Sequence, residues 1–172
     1  MEIDTEVTSY REQPLKIEYV MEGKKHLYTP DFLVERKGKK QLIEVTLRKK
    51  VRERDVAFRI ISAICARHGY EFVAVTEEEI RVQPRLNNIK LLWRYSRTPI
   101  TPQHHIACQE YLRKRGESTL DEIMDFFMSC RAGKQVVYGL IYHGALDIDL
   151  MKLISPDSIV RLPRSRSSVT EV

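Results

Sequence analysis

Between Leu15 and Thr76 the hydrophobic period of this chain switches from strand-like alternation to helical spacing and back, which limits the folds open to it. "LKIEYVMEG" alternates Leu15, Ile17, Tyr19 and Met21 on one face and ends in turn chemistry. "YTPDFLVERKGKKQLIEVTL" repeats the device, with Phe32, Leu33 and Val34 before a turn at Lys37-Gly38-Lys39 and Leu42, Ile43 and Val45 after it. Three antiparallel strands in a meander are predicted. From Lys49 onward, Val51, Asp55, Phe58, Ile61, Ile64 and Cys65 fall at three-to-four spacing, and Gly69 stands where a helix ends in a left-handed residue. "YEFVAVT" is then a short apolar strand. A strand, a helix and another strand imply a crossover, so Phe72 to Thr76 is predicted to pair parallel to a meander strand. A helix over "RLNNIKLLWRY" closes this α/β domain, with Leu86, Ile89, Leu92 and Trp93 facing inward.

"SRTPITPQ" has two prolines in eight residues and reads as a linker, dividing the chain into domains 1–97 and 98–172. Beyond it, helices are predicted over His104 to Lys114, Thr119 to Met128 and Lys134 to Tyr142. "LDIDL" and "SIVRL" then flank a turn at Ser155-Pro156-Asp157. Three helices and a two-stranded wing describe a winged helix-turn-helix, with Lys134 to Tyr142 as the helix that would meet DNA. Its polar set of Arg131, Lys134, Gln135 and His143 is thin for tight DNA binding, so partner docking with auxiliary DNA contact is the expected role. "PRSRSSVTEV" reads as a frayed basic end.

Hydrophobic residues at 42% and charged residues at 31% exclude a disordered chain. No apolar run is long enough for a membrane span and "MEIDTE" is no signal peptide, so a cytoplasmic protein is expected. Cys65, Cys108 and Cys130 have neither disulfide nor zinc spacing and read as reduced, buried or half-buried thiols. His104-His105 reads as a surface pair at a helix start.

The net charge of +5 is not spread evenly. Up to Arg97 there are twenty basic and fifteen acidic residues; beyond it the count is nine against nine. Arg36 to Arg54 holds nine basic residues against Glu44 and Glu53. Lys37, Lys39, Lys40, Arg48, Lys50 and Arg52 in this run, with Lys134 further on, are candidate contacts to a phosphate backbone.

Asp31 opens one strand of the predicted hairpin and Glu44 lies near the end of its neighbour, so the pair can meet at one level of the sheet. Two carboxylates there can bind Mg²⁺, or Mn²⁺ in its place, and a bound ion would activate water and polarise a phosphate. A lysine two residues after Glu44 would share its face and offset charge in the transition state. This chain has Thr46 at that position.

The order of "VTSYREQPLKIEY", "YTPDFLVE", "LIEVT", "HGYEFVAVTEEEI" and "LNNIKLLWRY" resembles TnsA, the PD-(D/E)xK endonuclease subunit of heteromeric cut-and-paste transposases, over Val7 to Tyr95. The resemblance implies a restriction-endonuclease-like mixed sheet with flanking helices, followed by a small winged-helix domain. It implies an enzyme that nicks the 5′ side of each transposon end, beside a DDE-type transposase and an AAA+ ATPase regulator that contacts the C-terminal domain. By that resemblance Asp31 is the metal-binding aspartate, Glu44 the acidic member of the second motif, and Thr46 stands in place of the catalytic lysine. Members also carry a glutamate on a helix before the "EQP" segment; here Met1 lies only nine residues before Tyr10, so either the start is truncated or the helix has been lost. Two readings follow. In one, Lys49 or Lys50 reaches into the site from the next helix, and the nuclease works with Asp31, Glu44 and Lys49 as its catalytic set. In the other, the site is impaired and the chain serves as a DNA-binding and partner-docking subunit.

Overall fold

A computed structural model of the chain describes residues 3, 4, 6–130 and 133–163, in two compact units, Met1–Val82 and Gln83–Val172. The first unit is built on a mixed four-stranded sheet. Its strands are β1 (Val7–Glu12), β4 (Phe32–Arg36), β5 (Lys39–Thr46) and β6 (Tyr70–Thr76), in that spatial order. β1 and β5 run antiparallel to β4, and β6 runs parallel to β5, with Leu42 opposite Phe72 and Thr46 opposite Thr76. The crossover between β5 and β6 is the one the period change predicts.

The three-strand meander is not what forms. β2 (Ile17–Met21) pairs with β3 (Lys24–Tyr28) in a separate two-stranded sheet, and β1 takes the place beside β4. The turn decides this. Glu22 and Gly23 both have positive φ, at 53° and 71°, the geometry of a two-residue hairpin whose twist matches its strands. Such a turn folds β2 back onto the very next residues, and β1 pairs with β4 in its stead. Lys37 and Gly38 repeat the geometry between β4 and β5, with φ of 50° and 75°.

The helical stretch after β5 is broken in two: α1 (Arg48–Glu53) and α2 (Asp55–Arg67), with Arg54 at the joint. α2 ends as predicted, with Gly69 at φ 77°. Its buried face, Ala57, Phe58, Ile61 and Cys65, packs with Leu42 of β5 and with Ile17, Tyr19 and Tyr28 of the hairpin. A helix of this length is marginal in water by itself. Burial of large apolar side chains at about 1.5–3 kcal/mol each is what holds it on the sheet. β6 leads into a single turn, α3 (Glu77–Ile80), closed by a capping box between Thr76 and Glu79.

The second unit begins earlier than the proline-rich stretch suggested. α4 (Arg85–Trp93), expected to close the first unit, packs with α7 (Lys134–Tyr142), and its buried Asn88 donates to the carbonyls of Leu150 and Lys152. Leu92 is fully buried, but Trp93 is 64% exposed and anchors nothing. α5 (Pro102–Arg115) starts inside the supposed linker, because Thr101 caps it and Pro102 occupies its first turn. His104 completes that cap through its side chain. α6 (Leu120–Ser129) buries Leu120, Ile123, Met124 and Phe127. Three short strands, β7 (Glu117–Thr119), β8 (Asp147–Ile148) and β9 (Ile159–Arg161), form an antiparallel sheet in the order β7-β9-β8. β7 falls in a stretch that read as a plain connection, since three residues with one buried side chain carry no measurable period.

Cys65 and Cys108 are buried thiols, as expected, whereas Cys130 is exposed. Among the described residues, no helix is long and apolar enough to cross a membrane. Arg131 and the basic tail from residue 164 lie outside the described residues.

The start of α6 is held by a reciprocal cap. The Thr119 hydroxyl accepts from the Glu122 N–H at 3.2 Å, and the Glu122 carboxylate accepts from the Thr119 N–H at 2.8 Å. Thr119→Ala removes one arm of that box and is expected to cost about 1 kcal/mol, read as a lower urea midpoint with an unchanged slope.

Candidate active site

Strand alternation puts Asp31 and Glu44 on one face of the sheet. Leu33 and Leu42 stand opposite each other and both pack toward the α2 core, and each carboxylate lies two residues from one of them. Asp31 precedes β4 directly after Pro30, and two backbone ties hold it. Its carbonyl accepts from the Gln13 N–H at 2.8 Å, and its carboxylate Oδ2 accepts from the Val45 N–H at 2.7 Å. The "EQP" segment therefore has a structural role, because Gln13 at φ 41° turns the end of β1 onto Asp31.

Glu44 is the more enclosed of the pair, its side chain 12% exposed. Oε2 accepts the Tyr28 O–H at 2.7 Å, and Oε1 lies 3.5 Å from a guanidinium nitrogen of Arg54. Burial is the main cause that lifts its carboxyl above the usual range, and the charge of Asp31 pushes the same way. The Tyr28 hydrogen bond, Arg54 and Lys50 oppose that shift without cancelling it. Tyr28, buried and donating its proton to a carboxylate, is held well above the ordinary phenol range. Arg54 is held by more than Glu44, since its guanidinium lies 5.5 Å from the Tyr28 ring centre and 4.8 Å from that of Phe58.

The lysines distribute themselves unequally. Thr46 shares the face of Glu44 and is half-buried, so the strand itself brings no cation. Lys49, 85% exposed, turns to Glu53 one helical turn on, at 3.7 Å. Lys50 is exposed, and its charge is felt at Glu44. Of the helix-borne groups, Arg54 makes the direct contact. Sequence reasoning passed over Arg54 because it looked like one more member of a solvated helix face; the only signal was its place in the period, four residues before Phe58 and in phase with the apolar stripe of α2.

The basic run divides. Lys37 pairs with Glu6 at 2.6 Å, and Lys39 and Lys40 lie at the start of β5, lining an open groove with His68 and Glu71. That is the opposite end of the strand from Glu44. Arg48 is engaged by Glu78 through its side chain and by Glu77 through its N–H, while Arg52 is exposed. Lys134 is exposed at the start of α7 in the second unit. Among the described residues, no cluster of three or more His, Cys, Asp and Glu side chains is arranged to hold a metal; Asp31 and Glu44 are a pair.

A mixed sheet whose central hairpin brings two carboxylates to one face, beside a parallel crossover, defines an α/β unit with a paired-carboxylate site. Residues 4–77 match the family model of the TnsA-like endonuclease N-terminal domain. Among curated proteins, none matches this chain.

Proposed function

We propose that this chain is a TnsA-like endonuclease subunit of a cut-and-paste transposase, which nicks the 5′ side of transposon ends with Mg²⁺ held by Asp31 and Glu44. The observation that carries the reading is the facing pair of carboxylates inside the matched segment. Like charges that close, with Asp31 raising the proton affinity of Glu44, suit a divalent cation and nothing apolar. All the donors are hard oxygens, the set Mg²⁺ prefers, and Mn²⁺ would serve as well. When bound, such an ion supplies a more acidic water and a polarised phosphate. The chain's own residues do the rest. The Val45 N–H fixes the Asp31 carboxylate, Tyr28 and Arg54 orient that of Glu44, and Lys50 sets further positive charge near Glu44, with the exposed basic groups of α1 as candidate contacts to the phosphate backbone.

The order α5-β7-α6-α7-β8-β9, with three short antiparallel strands beside three helices, supports the reading of the second unit as a winged-helix domain. α7 buries Val136, Val137, Gly139, Leu140, Ile141 and Tyr142, which leaves little of it for base contacts. That favours docking of a DDE-type transposase or an AAA+ ATPase regulator over sequence reading. The setting is cytoplasmic, on DNA.

A second reading, a catalytically impaired docking subunit, is favoured by one observation: Thr46 brings no ammonium while both oxygens of Glu44 already have partners. Nicking of supercoiled transposon-end DNA, with the cognate transposase and Mg²⁺ or Mn²⁺, separates the two. Nicking by wild type that a chelator abolishes is expected. An inert wild type that still binds DNA, brought to life by Thr46→Lys, establishes the impaired reading instead.

A further inference from the structure

We propose that Arg54 is the active-site cation of this nuclease, in the role that the strand lysine would fill where Thr46 stands; the inference rests on the endonuclease reading above. Arg54 sits at the joint between α1 and α2, where the helix is interrupted, and its side chain meets Glu44 of β5. Three groups hold it there: the Tyr28 and Phe58 rings and the Glu44 carboxylate. Its side chain is nevertheless 40% exposed, so these contacts do not seal it off from solvent.

The chemistry of the group fits that role. A guanidinium has five N–H donors in a planar fork, so one edge can hold Glu44 while another presents donors to a phosphate oxygen. It stays charged at every working pH, which suits it to neutralise charge that develops on a phosphate and disqualifies it as a base. Lys49 and Lys50 are poorer candidates. Lys49 is committed to Glu53 in solvent, and Lys50 is an exposed flexible ammonium acting on Glu44 by charge alone. Arg54 is pre-positioned by its rings, so ordering it costs little at the moment of reaction.

A role in catalysis and a role in merely holding Glu44 make different predictions. If Arg54 only held Glu44, its loss would weaken metal binding and extra metal would restore the rate. If it stabilises the phosphate, the loss persists at saturating Mg²⁺. Nicking should be measured across a Mg²⁺ titration, with the cognate transposase, for wild type, Asp31→Asn, Arg54→Gln, Arg54→Lys and the double variant Arg54→Gln/Thr46→Lys. Arg54→Gln is expected to lose roughly 10²- to 10³-fold in rate at saturating Mg²⁺, with a half-saturating Mg²⁺ concentration no higher than that of wild type. Restoring an ammonium on the strand with Thr46→Lys should recover at least about tenfold of that loss.

Rates within threefold of wild type in Arg54→Gln, while Asp31→Asn is dead, overturn the proposal and leave the nuclease reading standing, as does a loss that extra Mg²⁺ cures. No Asp31-dependent nicking by wild type overturns both. Arg54→Lys keeps the charge but not the fork, and a loss of about tenfold or less at saturating metal is expected. If Arg54→Gln melts below the assay temperature, Arg54→Met, which keeps an apolar stem on the rings without the charge, takes its place, and a rate within threefold of wild type at saturating Mg²⁺ overturns the proposal.

Discussion

Asp31→Asn abolishes metal-dependent nicking, by on the order of 10³-fold or more, and leaves the protein folded. The substitution is close to isosteric, and its side-chain oxygen can still accept from the Val45 N–H that Asp31 engages at 2.7 Å. The Gln13 bond is made to the backbone carbonyl and is untouched. What disappears is one of two negative charges. Glu44 then loses a neighbour that raises its proton affinity, so its carboxyl is expected to titrate at lower pH in the variant, which NMR of the side chain reads directly. Stability follows with a definite sign. A carboxyl whose folded pKa is raised contributes stability below its unfolded pKa and loses it as pH rises through the folded value. Removing Asp31 shrinks that loss, so the variant melts at or above the wild-type temperature near neutral pH, and the difference closes in acid. A variant that still nicks takes Asp31 out of the site; one that loses activity together with its melting transition would show a structural residue.

The parts of this molecule that could be read from sequence are those where one local signal is decisive. The β5-α2-β6 crossover follows from a change of period, the end of α2 from Gly69, and the two carboxylates from their place in a hairpin. Alternation could say that Glu44 shares the face of Leu42, but only the register of β4 against β5 brings Asp31 to the same face. Where the reading failed, a nonlocal competition decided. β2 and β1 both carry strand-forming sequences, and the Glu22-Gly23 turn assigned β2 to a neighbour other than β4. Arg54 shows the same limit at the site. In a run of nine basic residues, only its phase with the apolar stripe of α2 marks the one that the fold lays across two aromatic rings. Lys49, the catalytic candidate of the sequence, stands in solvent beside its i,i+4 neighbour Glu53.

Asn88 is where the largest effect on folding is expected. Its amide is 2% exposed, donates to the carbonyls of Leu150 at 2.9 Å and Lys152 at 2.7 Å, and accepts the Ile154 N–H at 3.4 Å. These belong to the segment between β8 and β9, and the Asn88 amide ties that segment to α4. Asn88→Ala withdraws both donors from the part-buried carbonyl oxygens of Leu150 and Lys152, each worth up to about 1–3 kcal/mol when left without a partner. A loss of about 3 kcal/mol, or roughly 10–20 °C in melting for a unit of this size, is expected. Asn88→Leu fills the space without supplying donors and fares no better, which separates lost hydrogen bonding from lost volume. The measurement has a second use. Trp93, the single tryptophan, lies on the same helix, so its fluorescence follows the second unit, while amide exchange along β5 and β6 follows the first. If α4 belongs to the second unit, the tryptophan transition falls and the strand amides of the first keep their protection. Equal loss in both would return α4 to the closing position that its sequence suggested, because a helix serving the first sheet could not be loosened without exposing β5 and β6.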